Sequence, residues 1–330
     1  MTKPSKIILY SIYIIFVTEI FARSISYFMG YGFSTDYDRF ISPFFTGTDM
    51  PYPILKDSTG IFVGNHEVAY SKEDNEIRIV FIGGSTTQNS SNAQKLKYSS
   101  EVQQYFNADF SNQKITVLNA GIAGFSSAHS LINLSLRIIE FQPDLVIIHH
   151  NINDRTVNII GNKPFPDYSN KYLSDFFLGY EHRKGFSGFL LRNFKSVRIL
   201  MWSSRFIRSV LVDTKHKEID YKNIELAKKY FKRNLESIIA ICDKHNILPL
   251  LLNQPAKNLS ENLIHQDYNN IIKNVSHQNN IYFIDIATLI SQKEDYFIDE
   301  VHYTSSGIKA IADFIYPAIV EVLKKEKIVH

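Results

Sequence analysis

The stretch Ile77-Arg78-Ile79-Val80-Phe81-Ile82-Gly83-Gly84-Ser85-Thr86-Thr87 decides the fold. A short apolar run that breaks into two glycines and a cluster of hydroxyls reads as a buried parallel strand, a tight turn and a helix start. In open α/β sheets ligands bind beyond the carboxyl ends of the strands. Such a turn places the Ser85 hydroxyl there, beside bare backbone N–H groups. Ser85 is therefore a candidate nucleophile. Taken alone, the same turn is more simply read as a helix N-cap whose glycines serve backbone freedom.

The motif repeats downstream. Glu101 to Phe110 reads as a helix, and Ile115-Thr116-Val117-Leu118-Asn119 as a strand ending in Ala120-Gly121-Ile122-Ala123-Gly124. Ser130 to Phe141 has helical apolar spacing. Leu145-Val146-Ile147-Ile148 is a third strand, running into His149-His150-Asn151-Ile152-Asn153-Asp154. A buried strand runs three times into a polar or glycine-rich turn, the βαβ rhythm of a parallel sheet covered by helices on both faces. Ile224 to Lys244 predicts another helix, Ile247 to Leu252 a strand, and Ile281 to Asp285 a final strand. Ser305 to Lys324 predicts a closing helix. Arg155 to Lys222 breaks the rhythm as an insertion. Its stretch from Phe189 to Val212, if one helix, sets Arg192, Lys195, Arg198, Arg205 and Arg208 on one half and apolar residues on the other. That pattern suits a lid or membrane-surface helix, or simply a helix docked with a solvated basic face.

Before the α/β body, Ile7 to Phe21 is almost wholly apolar. It follows Lys3 and Lys6 and carries one charge, Glu19. Extended to Ile25, the run approaches the roughly 20 residues of a membrane-spanning helix. Glu19 and Arg23 stand four apart and can pair on one face. No convincing small-residue cleavage site follows, so residues 1–26 are expected to be an uncleaved signal anchor, with a cleaved signal peptide as the competing reading. The lysines favour a cytoplasmic N-terminus and an extracytoplasmic body. Residues 27–75 read as a juxtamembrane connector, and 76–330 as the catalytic domain with its insertion at about 155–222.

The 330 residues suit two domains or, equally, one large α/β unit with additions. A net charge of +3 without any Lys/Arg block argues against nucleic acid as a partner. Cys242, the single cysteine, excludes an intrachain disulfide and reads as a core residue on a helix. Gly-x-Ser-x-Gly is absent around Ser85, no phosphate-loop lysine follows the glycines, and no His-Glu-x-x-His occurs. His129, His149 and His150 are not expected to hold a metal, and no cofactor is expected.

Just ahead of the last helix stands Asp299-Glu300-Val301-His302. A hydroxyl attacking a carbonyl needs a base to take its proton, and the base needs an acceptor to fix its tautomer. His302 is the candidate base and Asp299 its orienter. Gly83-Gly84-Ser85, Asn119 to Gly124, Asn151-Ile152-Asn153-Asp154 and Asp299 to His302 resemble, in order and approximate spacing, the four sequence blocks of SGNH (GDSL-type) hydrolases. The resemblance covers about Ile77 to Leu323, less the insertion, and is nearest to the branch held by one N-terminal membrane helix.

That resemblance implies a three-layer α/β/α sandwich with a flavodoxin-like parallel sheet. It implies a Ser85–His302–Asp299 triad and an oxyanion hole from the backbone N–H groups of Ser85 and Gly121 and the side-chain amide of Asn153. Asn151 competes with Asn153 for the last role. Two positions depart from the family: Gly84 stands for the aspartate of Gly-Asp-Ser, and Asn151 for a glycine two before the third-block asparagine. The expected activity is a serine hydrolase cleaving an acyl or acetyl ester on a small molecule, glycan or lipid. The alternatives are an O-acyltransferase on a cell-envelope polysaccharide, using the same residues, and a non-catalytic glycan-binding or assembly protein of the same fold.

Overall fold

The structure is a computed structural model that describes residues 3–28, 71–88, 96–159, 164–168, 189–190, 193–197, 200 and 221–329. It divides into two compact units. One holds α1 (Lys3–Phe28) and the described residues from 189 to 200; the other is the α/β body.

The body is built on a five-stranded parallel sheet: β1 (Ile77–Gly83), β2 (Ile115–Gly121), β3 (Leu145–His149), β4 (Leu248–Leu252) and β5 (Tyr282–Ile284). Their spatial order is β2-β1-β3-β4-β5. Every residue of β1 is buried, as expected of a strand covered on both sides. Alternate side chains divide the core. Ile77, Ile79 and Phe81 share a cluster with α3 (Tyr98–Asp109), Ile290 of short α8 (Ala287–Ile290) and α9 (Ser305–Lys325). Val80 and Ile82 face α4 (Ser127–Leu136), α6 (Tyr221–Lys244) and α7 (Leu263–Gln278). These are the three layers the sequence predicts. Cys242 is fully buried on α6.

The order of strand addition reverses at β1, with β2 on one side of it and β3, β4 and β5 on the other. The register pairs Gly83 with both Gly121 and His149, so the three turns leave the sheet side by side. Short α2 (Ser85–Gln88) follows β1 and α5 (Ile152–Ile159) follows β3. This is the switch-point crevice where doubly wound sheets bind ligands.

Some boundaries differ from those read in sequence. α4 begins at Ser127, ahead of the expected Ser130, because Ser126 and His129 form a reciprocal capping box. It stops at Leu136, and Ile138–Phe141 form a separate 3₁₀ turn. Most of the 155–222 insertion and of the 27–75 connector lies outside the described residues, as does most of the proposed basic helix from Phe189.

α1 forms where the apolar run predicts a helix, but among the described residues no helix is long and apolar enough to cross a membrane. The expected span is thus not supported. The uncharged run from Ile7 stops at Glu19, short of the roughly 20 residues a crossing needs. Glu19 pairs with Arg23 at 2.8 Å as expected, and also accepts the backbone N–H groups of Lys195 (2.8 Å) and Ser196 (2.9 Å) and the Ser196 hydroxyl (2.7 Å).

Candidate active site

Ser85 is the first residue of α2, so its N–H and that of Thr86 are among the opening amides that have no acceptor within their own helix. His302 arrives from the loop before α9, whose start is capped by the Thr304 hydroxyl accepting from Gly307 N–H. The loop is folded back on itself by Ile298 N–H donating to the His302 carbonyl at 2.8 Å and by the Phe297–Tyr303 bridge.

The three expected catalytic side chains meet. His302 Nε2 lies 2.8 Å from Ser85 Oγ, and His302 Nδ1 lies 2.7 Å from Asp299 Oδ2. Asp299 Oδ1 also accepts the backbone N–H groups of Val301 (3.0 Å) and His302 (2.9 Å). Partial burial pushes the Asp299 carboxyl upward, but these amides and the imidazole outweigh it and hold it below the usual range. Asp299 therefore stays an anion. An anionic acceptor fixes the tautomer with the proton on Nδ1, leaving the Nε2 lone pair directed at the serine hydroxyl.

The two candidate asparagines differ in their partners. The Asn151 amide is buried and donates to the His265 carbonyl (2.9 Å) and to Asn269 Oδ1 (2.8 Å), facing α7. The Asn153 amide lies at the catalytic turn and donates to the Phe125 carbonyl at 2.8 Å. One N–H of the –NH₂ group makes that bond, so the second is left for another acceptor. Gly84 is what makes room: a Cβ there would lie 2.3 Å from Asn153 Nδ2 and 3.0 Å from the Phe125 carbonyl oxygen. The departure from Gly-Asp-Ser is thus tied to where the Asn153 amide sits.

Gly121 requires a correction. Its N–H is buried and donates to Asn119 Oδ1 at 2.9 Å, so it is not presented to a substrate. The neighbouring amides of Ile122 and Ala123 bond to the Gly83 carbonyl and to Gln88 Oε1. The loop turns at Gly124, whose φ of 79° favours glycine. Phe125 follows, stacked on His129 at 4.8 Å between ring centroids. The fold-dependent acceptor of the Gly121 amide is invisible in sequence, where the two glycines of this block look alike.

The histidines closing β3 serve hydrogen bonds. His149 Nδ1 contacts Tyr98 OH (3.0 Å) and Thr87 Oγ1 (3.3 Å), and burial, with His265 nearby, pushes its pKa down to about 3. His150 Nε2 contacts Ser130 Oγ at 2.7 Å. Asp154 accepts from Ser127 N–H at 3.0 and 3.1 Å and from the Ser127 hydroxyl, joining α5 to α4. Sequence reasoning passed over two further residues near the site. Arg155 donates to Glu300 (2.6 Å) and to Asn262 (2.8 Å), joining α5 to the His302 loop. Gln254, which reads as an ordinary turn residue after β4, is 1% exposed.

Residues 81–310 match the GDSL-like lipase/acylhydrolase family, a range that contains Ser85, Asn153, Asp299 and His302. The chain belongs to that family. It is an ester-hydrolysing enzyme with the α/β parallel-sheet fold of the SGNH hydrolases. No curated protein matches it. Similar solved structures include a GDSL-like lipase from Bacteroides thetaiotaomicron VPI-5482, 16% identical over 74% of this chain and 89% of that one, with a TM-score of 0.44. A lipase/acylhydrolase from Enterococcus faecalis is 15% identical over 74% and 95%, TM-score 0.46. The acetylxylan esterase Axe2 from Geobacillus stearothermophilus is 15% identical over 72% and 92%, TM-score 0.47.

Proposed function

We propose that this hydrolase uses Ser85 to cleave an acyl or acetyl ester carried on a glycan or lipid, and that α1 attaches it to a membrane. The observation that carries the chemistry is the unbroken chain from Asp299 Oδ2 through His302 to Ser85 Oγ, at 2.7 and 2.8 Å.

Ser85 Oγ attacks the ester carbonyl as its proton passes to His302 Nε2. The carbonyl becomes an oxyanion held by the Ser85 N–H and the second N–H of Asn153. The oxyanion collapses, the C–O bond to the leaving alcohol breaks, and His302 returns the proton to that alcohol. Water then attacks the acyl-serine, giving its proton to His302, which hands it to Ser85 Oγ as the acid departs. Asp299 is 54% exposed and His302 24%, which supports a substrate ester displayed on a larger molecule rather than swallowed in a cavity.

Membrane attachment is supported by α1 itself. Tyr10, Ile12, Tyr13, Ile14, Ile15 and Phe16 are all 53–66% exposed, an apolar surface that lipid would cover. Lys3 and Lys6 ahead of the apolar run favour an extracytoplasmic body. The enzymatic reading is tested by assaying the full chain against p-nitrophenyl acetate, longer acyl esters and acetylated oligosaccharides, with Ser85→Ala in parallel. Ester cleavage lost in S85A is expected, and equal rates in both proteins would contradict it. The attachment is tested by fractionating cells that make the full chain or a form lacking residues 1–28. Only the full chain is expected in the membrane fraction, and equal partitioning would overturn the role of α1.

A further inference from the structure

We infer that Gln254 is a positioning residue that holds the nucleophile and the oxyanion donor at a fixed separation. Its side chain lies between the two turns and bonds to the neighbour of each catalytic group. Gln254 Nε2 donates to Thr86 Oγ1 at 2.8 Å, next to Ser85. Gln254 Oε1 accepts the N–H of Ile152 at 2.8 Å, next to Asn153. Ile152 opens α5, so its amide is one of those that a helix leaves without an internal acceptor, and Gln254 supplies that acceptor from a different strand turn. One planar amide therefore ties α2 to α5.

A spacer positions only if it is itself immobile, and Gln254 is held on every polar atom. Its N–H donates to Asn269 Oδ1 (2.9 Å), and its carbonyl accepts from Asn269 Nδ2 (2.9 Å) and from His265 Nε2 (2.8 Å). Asn269 Oδ1 in turn accepts from Asn151 Nδ2, so the departure at position 151 belongs to the same network. Thr86, Asn151, Gln254 and His265 are each at most 1% exposed, and Asn269 is 7% exposed. Burial drives the His265 pKa down to about 4, so near neutral pH the ring is uncharged and donates through Nε2. With no charged member, the network keeps the same bonds wherever His302 works as a base.

The step this serves is formation of the tetrahedral intermediate, when Oγ and the Asn153 amide must engage opposite ends of the same carbonyl. Ground-state binding does not require that separation, so its loss falls on kcat and leaves KM alone. A displacement of about 1 Å costs on the order of 10²-fold in rate.

The inference rests on Ser85 and Asn153 acting as proposed above, and the experiment separates the two. Full-length parent, Thr86→Val, Thr86→Ser, Gln254→Leu, Asn153→Ala and the double variant Q254L/N153A are assayed for kcat and KM, with thermal melts. T86V is nearly isosteric and removes only the acceptor of Gln254 Nε2. Expected are a fall in kcat of about 10- to 100-fold for T86V and Q254L with KM within about twofold, and recovery in T86S. N153A should cost at least about tenfold less in the Q254L background than in the parent, since a donor already displaced has less to lose. Parent-like kcat in T86V, or independent and multiplicative effects of Q254L and N153A, would overturn the positioning role while leaving the esterase reading in place. A parent that cleaves no ester would overturn both.

Discussion

Asn153 and Asn151 carry the same functional group two residues apart, and what separates them is the acceptor each one finds. Asn153 donates to the Phe125 carbonyl at the catalytic turn, whereas Asn151 is buried against His265 and Asn269. Asn153→Ala is accordingly expected to lower kcat by about 10²–10³-fold with little change in melting temperature. Asn151→Ala should lower the melting temperature, because it leaves buried partners unpaired. Kinetics and melts on the two variants check this directly. Gly84 gives a second test at the same scale. A methyl at this position meets the end of the Asn153 side chain far more closely than the Phe125 carbonyl, so Gly84→Ala should fold and lose kcat as the amide is pushed aside. Asp299→Asn keeps the shape of the triad but reverses the tautomer logic, and about 10⁴-fold in kcat is expected to go with it.

Elements were legible in sequence wherever burial on both faces made them mostly apolar, as in β1 and β3, whose every residue is buried. Ser85, Asp299 and His302, which the structure brings together, stood out in sequence because the chemistry demands those residue types, whereas Asn153 entered through the family resemblance. Gly121 misled because what disqualifies it is the Asn119 carboxamide two residues back, whose Oδ1 accepts its N–H while its Nδ2 donates to the Thr87 carbonyl and Ser99 Oγ. Gln254 was hidden because a glutamine after a strand has the composition of a solvated turn, and only its burial against α7 gives it a role. The start of α4 moved because a histidine can complete a capping box in place of the usual Glu or Gln. Between elements, Arg155 joins α5 to the loop that carries the triad base, through Glu300. Arg155→Ala should let that loop shift, lowering kcat by up to about 10²-fold with KM little changed.

At the scale of the whole molecule, the candidate site at the carboxyl ends of the strands is matched at the amino end of β1 by a buried ion pair. Arg78 and Glu76 are both 2% exposed and lie 2.9 Å apart, with the guanidinium also donating to the Phe141 and Ser71 carbonyls. Burial alone would raise the Glu76 pKa, but hydrogen bonds from Arg78, Thr116 and the Glu73 amide override it and hold it at about 2. A depressed carboxyl adds stability fully above its ordinary value of 4.5 and loses it as pH falls toward 2. Glu76→Gln should therefore be less stable than the parent near neutral pH and show a flatter decline between pH 4.5 and 2, as read from denaturant melts across that window.

In this mechanism the imidazole of His302 activates the hydroxyl of Ser85. That activation is read in the rate at which a fluorophosphonate modifies the full-length protein, followed by mass spectrometry of the intact chain and of its peptides. One adduct is expected, on Ser85, formed quickly in the parent, absent in Ser85→Ala and slowed by orders of magnitude in His302→Ala. Labelling of Ser85 at the parent rate in H302A, or an adduct confined to a different residue, would contradict it.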